Sequence, residues 1–143
     1  MENKSVTIIL VEDDSGHARL IEKNLNRAEI ESKVLKFTDG KQAADYLFSG
    51  DNGSFAHKNT PMLVLLDLNL PILDGYQVLK MIKEDVNSRH LPVIIMTTTD
   101  NPHEISKCYE LGCNLYLTKP VEYLEFAETI RKLGLFLSMI KIP

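Results

Sequence analysis

The chain has 143 residues, and 16 Lys plus Arg against 20 Asp plus Glu give a formal net charge of −4. That length suits one domain, and 44% hydrophobic with 25% charged residues is the composition of a globular chain, which excludes disordered, collagen-like and membrane-spanning classes. A mildly acidic balance without a basic run excludes a surface built to neutralise nucleic-acid phosphates or anionic lipid, and two cysteines, Cys108 and Cys113, make no disulfide framework.

The first ten residues, MENKSVTIIL, carry Glu2 and too short an apolar run for a signal peptide, so the expected compartment is the cytoplasm. Val6 to Val11 is a short β-branched apolar run that ends abruptly in Glu12-Asp13-Asp14, the pattern of a strand buried on both faces. Ser15 is an expected N-cap, with Asp14 before it also read as a helix-cap residue, of a helix whose apolar positions Ala18, Ile21 and Leu25 recur at three- and four-residue spacing. Lys33 to Phe37 predicts a second strand, Thr38-Asp39-Gly40 a turn and cap, and Lys41 to Phe48 a second helix. A polar loop spans Ser49 to Thr60. Met62 to Leu66 predicts the third strand, and Asp74-Gly75 opens a helix with Val78, Leu79 and Ile82 on its apolar face. Pro92 to Met96 is the fourth strand, followed by a helix from Pro102 to Leu111 with Gly112 at its end. Leu115 to Leu117 centres the fifth strand, and a last helix runs from Val121 toward Ser138.

Five alternations of strand and helix predict an α/β fold: a doubly wound five-stranded parallel sheet with helices on both faces, one domain over residues 1–143. In such sheets ligands bind beyond the carboxyl ends of the strands, where strand order reverses; in the flavodoxin-like order 2-1-3-4-5 that crevice lies between strands one and three. Glu12, Asp13 and Asp67 follow those two strands, and Thr97, Thr98 and Lys119 follow strands four and five. Three carboxylates held together need positive charge, either a hard divalent cation or the Lys119 ammonium. A carboxylate can also attack phosphorus and form an aspartyl-phosphate. The parts suit that reaction: Asp13 and Asp67 for Mg²⁺, Asp67 as nucleophile, Lys119 and Thr97 for the phosphoryl oxygens.

These motifs resemble the receiver domains of two-component response regulators: the Glu12-Asp13 pair, the acceptor segment LLDLNLPILDG from Leu65 to Gly75, Thr97, and Lys119-Pro120. The resemblance covers about residues 5 to 135. It implies that Asp67 accepts a phosphoryl group from a sensor histidine kinase, that Glu12, Asp13, Asp67 and the Asn69 backbone carbonyl hold Mg²⁺, that Lys119 contacts the phosphate, and that Thr97 and Tyr116 form a switch pair. It also implies a frequent cis peptide at Lys119-Pro120. Thr98 departs from the family, in which Ala, Gly or Ser is common there. The loop from Ser49 to Thr60, the DLNLP segment, the Thr97-Thr98-Thr99-Asp100 run and the ending FLSMIKIP are similar to the small single-domain regulators that partner bacterial phytochromes.

The implied function is phosphorelay signalling by a cytoplasmic phosphoprotein without an output domain. It is not an enzyme beyond Mg²⁺-dependent self-phosphorylation and slow self-dephosphorylation, and it acts on a downstream protein or phosphotransfer partner, with no nucleic acid and no membrane. The surplus apolar residues Leu135, Phe136, Met139 and Ile140 suggest a homodimer through the face of helix four, strand five and helix five and through the C-terminal tail. The alternative is a phosphate-independent binding module on the same fold. His17, His57, His90 and His103 are scattered over different elements and carry no expected role.

Overall fold

A computed structural model of the chain describes residues 5–27 and 32–139. Strands and helices alternate as β1 (Val6–Val11), α1 (Ser15–Arg27), β2 (Ser32–Phe37), α2 (Gly40–Leu47), β3 (Met62–Leu66), α3 (Gly75–Glu84), β4 (Val93–Thr97), α4 (Pro102–Glu110), β5 (Leu115–Thr118) and α5 (Tyr123–Met139). The strands form one parallel sheet in the order β2-β1-β3-β4-β5. The expected fold is therefore the observed one, with bounds shifted by a residue or two and a 3₁₀ turn at Asp51–Gly53 inside the long loop.

Strand residues alternate between two cores because successive side chains point to opposite faces. Ile9, Val11, Val64, Leu66, Val93 and Ile95 pack under α2, α3 and α4. Ile8, Leu10, Leu63, Leu65, Ile94 and Met96 pack under α1 and α5. With both faces covered, β3 and β4 are buried at every position, and each fully buried Leu or Ile contributes about 1.5–3 kcal/mol.

Caps decide where the helices begin. Asp39 accepts from the Gln42 amide at 2.7 Å, Asn101 from the His103 amide at 2.9 Å ahead of Pro102, and Asp74 forms a reciprocal capping box with Gln77. At α1 the sequence offers two cap residues, Asp14 and Ser15, and the fold uses the first. Asp14, not Ser15, accepts from the His17 amide at 3.0 Å, because the carboxylate one step earlier reaches the free amide and meets the positive end of the helix dipole. Helix α4 closes on Gly112 at φ 104, where the Cys113 amide donates to the Cys108 carbonyl and the Gly112 amide to that of Tyr109. Both cysteines are free and buried.

One further expectation changes. No cis peptide occurs among the described residues, so Lys119–Pro120 is trans, the isomer an X–Pro bond intrinsically prefers. Leu135, Phe136 and Met139 are exposed on α5 as the apolar surplus suggested, while Ile140 and the tail after it lie outside the described residues. No helix among the described residues is long and apolar enough to cross a membrane.

Candidate functional site: an acidic cluster around a buried lysine

The site residues inherit their positions from the sheet, because its hydrogen-bond ladder continues one residue past the strands. The Glu12 amide donates to the Phe37 carbonyl at 3.0 Å, that of Asp67 to Val11 at 3.1 Å, and that of Lys119 to Thr97 at 2.6 Å. Thr97, expected just beyond β4, is its last residue. Gly75 lets the start of α3 come close: a Cβ there would lie 2.1 Å from the Asp67 carbonyl oxygen.

Four polar side chains are buried at this edge: Glu12, Asp67, Thr97 and Lys119. Lys119 Nζ donates to Asp67 Oδ2 at 2.8 Å and to Glu12 Oε1. Carboxylate oxygens of Glu12, Asp13 and Asp67 lie within 4.8 Å of one another, Asp13 being exposed. The Asn69 amide, on an exposed residue, donates to Asp67 Oδ1 at 3.2 Å. Thr97 Oγ1 is buried with no hydrogen-bond partner, although its hydroxyl stands close enough to favour the charged form of Asp67. Tyr116, half-buried on β5, donates its hydroxyl to the Thr99 carbonyl at 2.7 Å, and so is tied to the loop that follows Thr97. Thr98 is exposed.

One ammonium shared by two buried carboxylates divides their titration. Burial pushes Glu12 up against the pull of Lys119, and the charge of Asp67 adds to that push, leaving Glu12 at about 7. Burial also raises Asp67, but the Lys119 hydrogen bond and charge outweigh it and the net direction is down. Asp67 is thus ionised at neutral pH, the form in which a carboxylate is a nucleophile.

His17 had no expected role, and the fold brings it here. Its Nδ1 lies 3.3 Å from Lys119 Nζ and 3.9 Å from Glu12 Oε1, and its ring meets Phe126 of α5 edge-on at 5.2 Å. The signal in the sequence was its place in the first turn of the helix leaving β1, which overhangs the end of that strand. His57, by contrast, lies within the long loop and stacks on Tyr46 at 4.4 Å.

The fold thus gathers a buried Asp–Lys pair, an adjacent acidic pair and a hydroxyl from the ends of four parallel strands at one edge of the sheet. The family model for the response regulator receiver domain matches residues 8–131. The chain belongs to the response regulator receiver family. It is a phosphorylation-controlled signalling domain of two-component systems. The receiver domain of a response regulator from Rhodospirillum rubrum is 52% identical in sequence, with 96% of each chain covered and a TM-score of 0.91. The response regulator Rcp1 of Synechocystis is 37% identical over 117 residues, 82% of this chain and 78% of that protein. The phosphorylated cyanobacterial phytochrome response regulator RcpA is 34% identical, with 97% of this chain and 99% of that one covered and a TM-score of 0.86. A crystal structure of Rcp1 holds Mn²⁺, and receiver domains bind Mg²⁺ or Mn²⁺ in an acidic pocket of this kind.

Proposed function

We propose that Asp67 is the phosphoacceptor of a single receiver domain spanning residues 1–143, and that the donor is the phosphohistidine of a cytoplasmic sensor kinase, specifically a bacterial phytochrome. The observation that carries the reading is the ionised Asp67 carboxylate held by a buried lysine, beside a buried hydroxyl, that of Thr97, which still lacks a partner. An Asp67 oxygen attacks phosphorus, the bond from phosphorus to the kinase imidazole nitrogen breaks, and the electron pair leaves with the imidazole. Lys119 then exchanges its carboxylate partner for a phosphoryl oxygen, and Thr97 supplies the hydroxyl that closes on another. Hydrolysis of the acyl phosphate restores the carboxylate.

The donor set fits a hard divalent cation: three carboxylates within reach of one another, with the Asn69 carbonyl two residues after Asp67. In this reading Glu12, Asp13, Asp67 and the Asn69 carbonyl hold Mg²⁺, which when bound neutralises charge around the phosphoryl oxygens. Thr97 and Tyr116 form the switch. Movement of Thr97 toward the phosphoryl group shifts the loop whose Thr99 carbonyl receives the Tyr116 hydroxyl, repacking the face of α4, β5 and α5. That face carries an apolar groove lined by Leu115, Leu117, Leu133 and Phe136, which suits a downstream protein or a second copy of the chain.

Incubation with Mg²⁺ and acetyl phosphate should add one phosphate to the intact mass of the parent and none to Asp67→Asn. Equal labelling of the two would refute the assignment. Transfer from kinases of other classes but not from a phytochrome kinase would remove the phytochrome partner alone.

A further inference from the structure

Ile72 is the tip of the loop that leads from Asp67 to α3, and its backbone is strained. Its φ is 70°, and the Leu73 amide donates to the Pro71 carbonyl at 2.8 Å, so Ile72 is the centre of a γ-turn of the positive-φ kind, the rare and strained one. A β-branched side chain in this region is a genuine outlier. The surroundings leave the loop little room to relax. The Gly75 amide is bonded to the Leu68 carbonyl at 2.9 Å, Asp74 is locked in its capping box, and the Leu73 carbonyl lies so close to Gly40 that a Cβ there would stand 1.7 Å from it.

This backbone therefore favours glycine or asparagine, yet the chain has isoleucine. Packing does not account for the choice: Ile72 is 75% exposed and belongs to neither core cluster. Strained residues that the surrounding structure over-determines concentrate at functional sites. The position supplies the function. Asp67 is 7% exposed at the foot of this loop, so a protein that delivers a phosphoryl group to it approaches the edge of the sheet from which the loop rises. On the other side of Lys119 the rim is apolar again, with Val121 and Leu124 exposed. A rigid, exposed apolar tip beside an acidic centre has the character of an interface anchor.

We propose that Ile72 is a specificity-determining contact for the phosphodonor protein, seated against an apolar notch of the donor surface next to its phosphohistidine. The proposal rests on Asp67 being the phosphoacceptor. It is tested with Ile72→Gly and Ile72→Asn, which suit the backbone but remove the apolar tip, and with Ile72→Val, which keeps it. The macromolecular probe is the autophosphorylated kinase that labels the parent fastest in a panel of histidine kinases, and the small probe is acetyl phosphate. Ile72→Gly and Ile72→Asn should melt no lower than the parent, keep its rate with acetyl phosphate, and lose about tenfold in kcat/KM with the kinase, whereas Ile72→Val should stay near the parent in all three. Unchanged transfer from the kinase to Ile72→Gly and Ile72→Asn overturns the proposal, as does an equal loss with both probes. Failure of acetyl phosphate to label the parent would instead overturn the assignment of Asp67.

Discussion

Replacing Lys119 by Met removes the charge while keeping the length of the side chain, and the consequence can be worked from the contacts. Lys119 is 4% exposed and bonds Glu12 and Asp67, so Lys119→Met leaves two buried carboxylates without a counter-charge. Removing one partner of a buried ion pair costs about 3–5 kcal/mol. A second route gives the same size. If Asp67 escapes by binding a proton, lifting it from its ordinary value of 3.8 to ionisation only above pH 7 costs about 1.4 kcal/mol per unit, or about 4 kcal/mol at pH 7 and about 2 kcal/mol at pH 5. In the variant the folded pKa of Asp67 is raised above the unfolded value, so folding takes up protons and stability relative to the parent is lost as pH rises. At about 3 °C per kcal/mol for a chain of this length, metal-free Lys119→Met should melt about 12 °C below the parent at pH 7 and about 6 °C below it at pH 5. Mg²⁺ should stabilise the variant more than the parent, because the cation no longer competes with an ammonium. Thermal melts at the two pH values, with Mg²⁺ and with chelator, are the assay. An equal deficit at both pH values, or no additional protection by Mg²⁺, would show that Lys119 acts by packing and refute the electrostatic reasoning.

Four other outcomes follow from particular contacts. Glu12, raised by burial from 4.5 to about 7, binds a proton on folding between those values, so the metal-free parent should lose up to about 3 kcal/mol as pH climbs from 4.5 to 7; chemical denaturation with chelator measures it, and a flat profile would contradict the shift. Thr97→Val removes a buried hydroxyl that has no partner, so stability should change by less than about 1 kcal/mol while the phosphorylation-dependent change in Tyr116 fluorescence or NMR shift disappears. Gly40→Ala would put a Cβ 1.7 Å from the Leu73 carbonyl oxygen, so urea unfolding should show a loss of at least about 1–3 kcal/mol. Cys108, whose thiol burial pushes up to about 11, and Cys113, buried beside it, should react with a thiol reagent only on unfolding; rapid labelling of the native protein would show the α4 end to be open.

The fold was legible in the sequence because its signals are local and redundant. Val6–Val11 and Met62–Leu66 are short, largely apolar runs that end abruptly in acids, which in a short segment leaves little but a strand buried on both faces. Asp39, Asp74 and Pro102 mark helix starts by capping chemistry, while at α1 two adjacent capping residues, Asp14 and Ser15, left a choice that only the path of the chain resolves. The grouping of the candidate site residues was legible for the same reason. Strand ends in a parallel sheet share one edge, so the order of the strands alone groups Glu12, Asp67, Thr97 and Lys119.

What the sequence alone determined, then, is which elements form and which residue types meet at the carboxyl edge of the sheet, since both follow from periodicity and from the order of the strands. Tertiary structure decided what depends on distance and burial between residues far apart in the chain. It set Lys119 between two carboxylates rather than beside one, split the titration of Glu12 from that of Asp67, and left the Thr97 hydroxyl without a partner. It also brought His17 against Lys119 across 102 residues of sequence and turned Ile72 outward on a strained tip. These are properties of packing in three dimensions: desolvation, the reach of a charge and the closure of a loop have no period for a sequence to display.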